Sequence, residues 1–367
     1  MLFNSTTFLF FFLPLTVAGF WLLGRGTSGP KERAWLVIAS LVFYGWWSPW
    51  YVVLILGSIA FNYLIGHALR RWRSGEHDGA RLLLVFGVGA NLAALAYFKY
   101  WDLLRMTSNT LIGTHYSLLH IVLPLGISFF TFEQISFLVD TYRSGGTAHS
   151  PLDYSFFVLF FPRVIAGPIL RPSELFPQIE GSTPTATGSD AIVGLTVFVL
   201  GLAKKVLIAD AVAPAATAVF NAAAAGTPVH LLEAWGGALA YSVQLYFDFS
   251  GYSDMAIGLA LLLGIRLPLN FDSPYKATSV IDFWRRWHMS LSRFLRDYLY
   301  IPLGGNRAGR SRRYTNLMLT MLLGGLWHGA SWTFAMWGGL HGVYLLVNQH
   351  RSHKIRDPIT PWPQISG

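Results

Sequence analysis

The chain contains no cysteine, which excludes disulfides, thiolate catalysis, an acyl-cysteine intermediate and cysteine palmitoylation. Charge is scarce too. Only 12% of the 367 residues are Asp, Glu, Lys or Arg, against about 25% in a typical soluble domain. No phosphate loop of the GxxxxGK[ST] type, no dinucleotide fingerprint, no GxSxG nucleophile elbow and no HExxH metal signature occurs, so Ser290 and Ser292 have no support as acyl-enzyme nucleophiles and a zinc site is not expected. The N-terminus lacks the basic region and small-residue cleavage site of a signal peptide, and residues 7–23 are expected to remain as a first membrane span.

What is present is apolar: 53% of residues are hydrophobic and 16% aromatic, with a mean hydropathy of +0.45. Apolar runs of roughly 20 residues, the length that crosses a hydrocarbon core, recur along the chain. They predict an all-α polytopic membrane protein rather than a barrel of short alternating strands. The expected transmembrane or re-entrant segments, about ten, are 7–23, 34–48, 51–69, 82–98, 118–139, 153–169, 191–209, 232–263, 315–327 and 331–348. They form one membrane-embedded domain over residues 1–350, followed by a polar tail at 351–367. A polar connector covers 180–190, and no internal repeat or soluble domain is evident.

The net charge of +9 is concentrated. Between Arg266 and Arg313 ten basic residues face only Asp272, Asp282 and Asp297, a local charge of +7. This predicts a cytoplasmic or interfacial segment held by anionic lipid headgroups, with nucleic acid the weaker reading because apolar anchors interrupt the charge. The basic connections at Lys31–Arg33 and Arg70–Arg81 face the same side if the N-terminus is outside. Strict alternation then puts 266–313 on the wrong side, so one intervening segment is expected not to cross. The best candidate is 153–169, whose end, FPRVIAGPI from Phe161, combines two prolines, a glycine and Arg163.

Chemistry is expected around two histidines. Residues 283–297, FWRRWHMSLSRFLRD, drawn as a helix at about 100° per residue, put Trp284, Trp287, Leu291, Phe294, Leu295 and Tyr298 on one face and Arg285, Arg286, Arg293 and Arg296 on the other. His288 falls on the apolar side. His328 lies in LWHGASW (326–332), inside a hydrophobic segment, where an ionisable group is costly and therefore suggests function. Gly324, Gly325 and Gly329 leave room there for a substrate or another helix, and Trp327 and Trp332 wall the neighbourhood. A packed imidazole with its N–H on a carbonyl is the plain alternative at both positions. His341, thirteen residues beyond His328, is read as structural. A second polar island, QLYFDFSGYSDMAIG from Gln244, places Gln244, Asp248, Tyr252 and Asp254 in an apolar span. Its carboxylates need partners, either an imidazole to orient or an arginine to pair with. Glu133, Arg163 and Arg171 are further candidates for a cavity lining. With internal nucleophiles unsupported, a histidine general base that promotes direct transfer from an activated donor to a hydroxyl fits what remains. A transporter or polymer conduit is the reading from another class, but the polar features cluster after residue 240 without a counterpart earlier in the chain.

These residues resemble the membrane-bound O-acyltransferase superfamily, and its bacterial alginate O-acetyltransferase branch in particular, with teichoic acid D-alanyl transferases as cousins. The resemblance is carried in order by YFKYW (97–101), PLGISFFTF (124–132), FPRVIAGPI (161–169), DFSGYSD (248–254), FWRRWHMSL (283–291), YIPLGGN (300–306) and LWHGASW (326–332). It implies a ring of helices around a thinned centre, entered by a funnel from the cytoplasm and an opening on the far side, in a bacterial inner membrane. His328 matches the near-invariant histidine and His288 the second active-site position. The resemblance implies acetyl transfer to an exported polysaccharide such as alginate, with D-alanyl transfer to teichoic acid as the runner-up. The donor would be acetyl-CoA or an acylated carrier protein acting as co-substrate, with no bound cofactor or metal. A carrier could dock on the basic 266–313 stretch, and periplasmic acetylation partners are possible. Members of the branch continue past the residue 350 region into further helices, so the tail to Gly367 is expected to be either a short form's end or the start of a truncated region.

Overall fold

The computed structural model describes residues 1–24, 29–74, 79–146, 148–180, 186–307 and 309–354. The tip of the Arg70–Arg81 connection, the 181–185 part of the 180–190 connector and the 355–367 part of the tail lie outside the described residues. Helix accounts for 77% of the described residues, and no strand occurs among them. In chain order the helices are α1 (Leu13–Gly24), α2 (Pro30–Gly45), α3 (Pro49–Ser74), α4 (Ala80–Leu95), α5 (Trp101–Ile112), α6 (Ile127–Ser144), α7 (Pro151–Leu159), α8 (Pro172–Glu180), α9 (Gly188–Ala203), α10 (Asp210–Ala224), α11 (Leu231–Leu262), α12 (Val280–Arg286), α13 (Met289–Leu295), α14 (Gly309–His328) and α15 (Trp332–Lys354). Short π-helical turns join α4 to α5 (Ala96–Tyr100) and α9 to α10 (Lys204–Ala209). Continuous helices therefore run over Ala80–Ile112 and Gly188–Ala224, longer than the 82–98 and 191–209 expected from hydropathy.

Among the described residues, Pro49–Trp72, Ala80–Ile112 and Gly188–Ala224 are long and apolar enough to cross a membrane, and Phe8–Gly24 is a shorter apolar helix. Their outward faces are greasy: Leu64, Leu82, Ile192 and Leu207 are 65–74% exposed. The polar groups go inside. Asn62 of α3 and Asn91 of α4 are buried and joined by Asn91 Nδ2 donating to Asn62 Oδ1 at 2.6 Å. Asn62 Nδ2 also donates to Gln134 Oε1 of α6. Apolar outside and amides inside is the arrangement expected for a helix facing lipid, where no water serves the polar groups.

The chain divides into two compact units, residues 1–56 with 149–269 and residues 57–148 with 270–367. In the first unit, Phe3, Phe8, Phe12, Phe43 and Phe161 form a ring cluster with centroids about 5–6 Å apart. α7 begins on Ser150, whose hydroxyl accepts the Asp153 N–H at 3.1 Å, with Pro151 pre-set at the first helical position. It ends at Leu159, and residues 160–171 are non-helical. Nine residues rise only about 13.5 Å, so this helix is too short to cross a bilayer. The segment suspected from its prolines is broken, and the expected span 118–139 is helical only from Ile127 onward, with 118–126 non-helical. α9 and α11 pack backbone to backbone: a Cβ on Gly258 would stand 2.5 Å from the Gly194 carbonyl oxygen, and one on Gly201 2.6 Å from that of Gly251.

In the second unit, α14 and α15 pack side by side at Gly325 and Gly338. A Cβ on Gly325 would lie 2.3 Å from the Phe334 carbonyl oxygen. The room left by this glycine is thus filled by a helix. Gly329 is likewise covered by the Phe334 ring.

The basic amphipathic stretch departs from expectation. It is not one helix: α12 stops at Arg286, Trp287 is extended (ψ 126°), and His288 takes a left-handed conformation (φ 43°, ψ 57°) before α13 starts. The break is held by a paired loop, with the Asp272 N–H donating to the Arg286 carbonyl and the Met289 N–H to the Asn270 carbonyl. Ser290 Oγ donates to Asn270 Oδ1 at 2.6 Å. These tertiary bonds override the helical pattern that the side-chain spacing suggests.

Candidate active site

His288 and His328 both belong to the second unit, and one indole connects them. The left-handed turn at 288 is uncommon for a residue with a side chain and turns the imidazole inward, where it is 1% exposed. Its centroid lies 6.1 Å from that of Trp327, and the Trp327 ring lies 4.9 Å from His328. Legs of 6.1 and 4.9 Å bound the separation of the two imidazole centroids at 11.0 Å. Burial, and after it the neighbouring His328, hold His288 well below the ordinary histidine value of 6.5, so this ring is neutral at pH 7.

His328 differs in access. It is the last residue of α14, and the residue is exposed where His288 is buried. It meets the edges or faces of two indoles, Trp327 at 76° and Trp337 at 83°, the latter 5.3 Å away. A cavity opens beside it, bounded by His328, Trp284, Trp337 and Arg285 and by the apolar side chains Leu291 and Met321. At about 40 Å3 it has room for more than one water-sized group. His288 is not among its lining residues. The accessible base and the enclosed imidazole are therefore distinguishable by geometry.

The end of α14 is fastened from a helix that sequence reasoning did not assign to the site. Lys99 Nζ, on the π-turn between α4 and α5, donates to the Trp327 carbonyl and to Ser128 Oγ at 3.3 Å. It also stands 5.7 Å above the Trp327 ring. The Tyr100 hydroxyl donates to the Leu326 carbonyl at 2.8 Å. The last carbonyls of a helix have no donor within it and carry its negative dipole end, so a cation and a phenol complete it. The available signal was a lysine just past the end of the expected 82–98 span, in a helix whose other charged residues are Arg81, Asp102 and Arg105.

Other expectations fare differently. Trp284 lines the cavity and meets Trp337 at 6.0 Å, and Trp327 forms the bridge. Trp287 instead packs with Phe271, Tyr275 and Phe283. Trp332 does not wall His328: its indole donates to Thr107 Oγ1 at 2.9 Å, and Trp337 takes the place expected for it. His341 packs 4.6 Å from Trp337 and 5.3 Å from Trp284, one indole away from His328. Counting thirteen residues around a single helix missed this, because α14 ends at His328 and α15 returns alongside it.

Gln244, Asp248, Tyr252, Asp254 and Arg163 belong to the first unit. The carboxylates expected to serve an imidazole or an arginine pair with lysines of the helix alongside. Lys204 Nζ lies 2.5 Å from Asp254 Oδ2, and Lys205 Nζ lies 2.6 Å from Asp248 Oδ1 and 2.7 Å from Asp210 Oδ1. Tyr252 stacks on Phe3 at 4.8 Å. Arg163 is fully buried in the broken segment, its guanidinium 5.0 Å above the Phe157 ring. Glu133 is buried in α6, and Arg171 just precedes α8. Among the described residues no group of three or more His, Asp or Glu is placed to hold a metal.

Comparison with known proteins decides the family. The model of the membrane-bound O-acyltransferase family matches residues 141–365. This chain is a membrane-bound O-acyltransferase. It is 44% identical to the peptidoglycan O-acetyltransferase of Helicobacter pylori, over 97% of this chain and 72% of that protein. It is 46% identical to the probable alginate O-acetylase AlgI of Pseudomonas aeruginosa, over 95% of this chain and 66% of that protein. A teichoic acid D-alanyltransferase of Streptococcus thermophilus is 30% identical over 61% of this chain and 56% of its own length. The chain thus spans about two thirds to seven tenths of the two O-acetylating relatives. Within the acyltransferase match fall both histidines, the cavity and the polar island of α11.

Proposed function

We propose that the protein acetylates hydroxyl groups of an exported or cell-envelope polysaccharide, with His328 as the general base. The observation that carries this reading is the position of His328, an accessible imidazole at a helix end, set between two indoles and beside a cavity. The high identity to a peptidoglycan O-acetyltransferase and an alginate O-acetylase supports acetyl as the group and a glycan as the acceptor.

In the proposed reaction His328 accepts the proton of a sugar hydroxyl as its oxygen attacks the carbonyl carbon of an acyl thioester. The C–O bond forms, the C–S bond breaks, and the proton passes to the departing thiolate, leaving an O-acetyl ester and a free thiol. No covalent acyl-enzyme is required. His288, neutral and enclosed, positions the acceptor or donor or stabilises the developing oxyanion through the Trp327 side of the site. Trp284 and Trp327 shape the walls. Gln244, Asp248, Tyr252, Asp254 and Arg163 support the substrate funnel. The donor, acetyl-CoA or an acylated carrier protein, is a co-substrate that enters from the cytoplasmic face, where the basic 266–313 stretch receives it. The acceptor approaches from the other side, with periplasmic acetylation partners acting after it.

The same reading places the chain in a bacterial inner membrane with about ten transmembrane or re-entrant segments, residues 1–350 acting as one catalytic domain. Mass analysis of alginate and of peptidoglycan from cells with and without the chain tests it, with His328→Ala as the control. New acetyl esters on one polymer, lost by about 10²-fold or more in the variant, are expected. Ester D-alanine instead of acetate transfers the case to D-alanylation. Normal acetylation by folded His328→Ala overturns the role of this residue.

A further inference from the structure

We infer that Lys99 is a positioning residue for the transfer step: through the Trp327 carbonyl it fixes the end of α14, and with it the place of the His328 imidazole. The inference rests on the proposed role of His328. Lys99 lies within Ala80–Ile112, one of the helices apolar enough to cross a membrane, where an ammonium is costly and needs a compensating partner. Among the described residues that partner is not a carboxylate. The ammonium is served by the Trp327 carbonyl, the Ser128 hydroxyl and the faces of Trp327 and Tyr100. Three of these four contacts go to the residue next to His328 or to Lys99's own neighbour.

The local backbone serves the same end. Lys99 and Tyr100 are consecutive on a π-helical turn, whose extra residue rotates both side chains toward one neighbour, and such turns recur at functional sites. Both donate to consecutive carbonyls, Trp327 and Leu326, of the last turn of α14. Two bonds on adjacent carbonyls fix both the height and the rotation of a helix end. A single bond would leave the terminal residue free to swing. His328 is that terminal residue. A displacement of about 1 Å at a reacting group can cost on the order of 10²-fold in rate, so fixing the helix end bears directly on turnover.

The test uses the full chain in isolated membranes, with labelled acetyl-CoA, clarified cytosol to supply any carrier, and oligosaccharides of whichever polymer is acetylated in cells. Lys99→Met is expected to lower kcat by about 10- to 100-fold, with the KM for acceptor within about twofold and folded protein retained. Lys99→Arg, which keeps the cation and the donors, is expected to recover several-fold of that loss. Where Lys99→Met fails to accumulate, Tyr100→Phe decides, with an expected several-fold fall in kcat from loss of one hydroxyl. A wild-type kcat, a change in KM alone, or equal losses in Lys99→Met and Lys99→Arg that only follow the amount of folded protein would overturn the inference. His328→Ala runs in parallel: full activity there defeats the underlying reading, whereas an inactive His328→Ala beside a normal Lys99→Met defeats this inference alone.

Discussion

The His288 imidazole lies 6.1 Å from the Trp327 ring while its own residue stands in a left-handed turn. Backbone and side chain are thus specified together, and substitutions at 288 must separate them. Asparagine tolerates the left-handed region better than alanine. His288→Asn is therefore expected to keep the α12–α13 break and to remove only the ring. Acetylation by His288→Asn should fall by 10-fold or more, on the order of one acid–base or positioning contribution, while His288→Ala should also lower the yield of folded protein. Acetylation rates normalised to detergent-folded protein separate the two effects.

Stability should depend on pH in a defined direction. Folding holds the His288 pKa well below 6.5, so below about pH 6.5 the unfolded chain takes up a proton that the native state refuses. Stability from this group is present above that pH and is lost as pH falls, by at most about 1.4 kcal/mol per pH unit for one proton. Thermal unfolding in detergent between pH 7.5 and 5 should show a falling midpoint for the native protein and a flatter profile for His288→Asn. Identical slopes would contradict the assignment.

Gly325→Val should be severe. Its Cβ would enter the space of the Phe334 carbonyl oxygen, 2.3 Å away, and backbone cannot step aside as a flexible side chain can. Overpacking of this kind costs typically about 1–3 kcal/mol, and separation of α14 from α15 would displace Trp337 from His328. A lower melting temperature with loss of acetylation is expected, and Gly339→Ala, where the nearest atom is a leucine methyl at 3.4 Å, should be mild.

The pairing of Asp254 with Lys204 predicts rescue by exchange. Asp254→Lys alone would set two ammonium groups together, and Lys204→Asp two carboxylates. The double variant restores one charge of each sign across the 2.5 Å contact. Lys204 lies on a helix apolar enough to cross a membrane, where an unpaired charge is costly, so the readout is acetylation normalised to folded protein. Recovery in the double variant marks a structural pair. An inactive double variant with normal folding would give Asp254 a direct part in the reaction.

Much of this was legible in the sequence. The helical class followed from long apolar runs, and the broken segment from Pro162, Gly167 and Pro168 together with charge parity. His288 and His328 stood out because membrane anchoring gives no reason for an imidazole on an apolar face. What stayed hidden depended on contacts between distant positions. Lys99 reaches a carbonyl 228 residues away, and Asp254 pairs with a lysine 50 residues away, relations that periodicity cannot carry. Trp337, and the nearness of His341 to it, were missed because helical counting loses phase where α14 ends and the chain reverses at Ser331. The interruption at His288 was invisible for a different reason. Its side-chain pattern is helical, and only hydrogen bonds to residues 270–272 break it.

The glycine contacts between α9 and α11 have a mechanical corollary. Where the carbonyl oxygens of Gly194 and Gly258 each occupy the space of the other's missing Cβ, neither helix can slide by one residue without setting a side chain against the opposing main chain near Phe198 or Leu262. Lys204 and Lys205 continue α9 from the same stretch and clasp Asp254 and Asp248, so the axial register of α11 is keyed by shape and by charge at once. Such a pair of rods is keyed against sliding along its length.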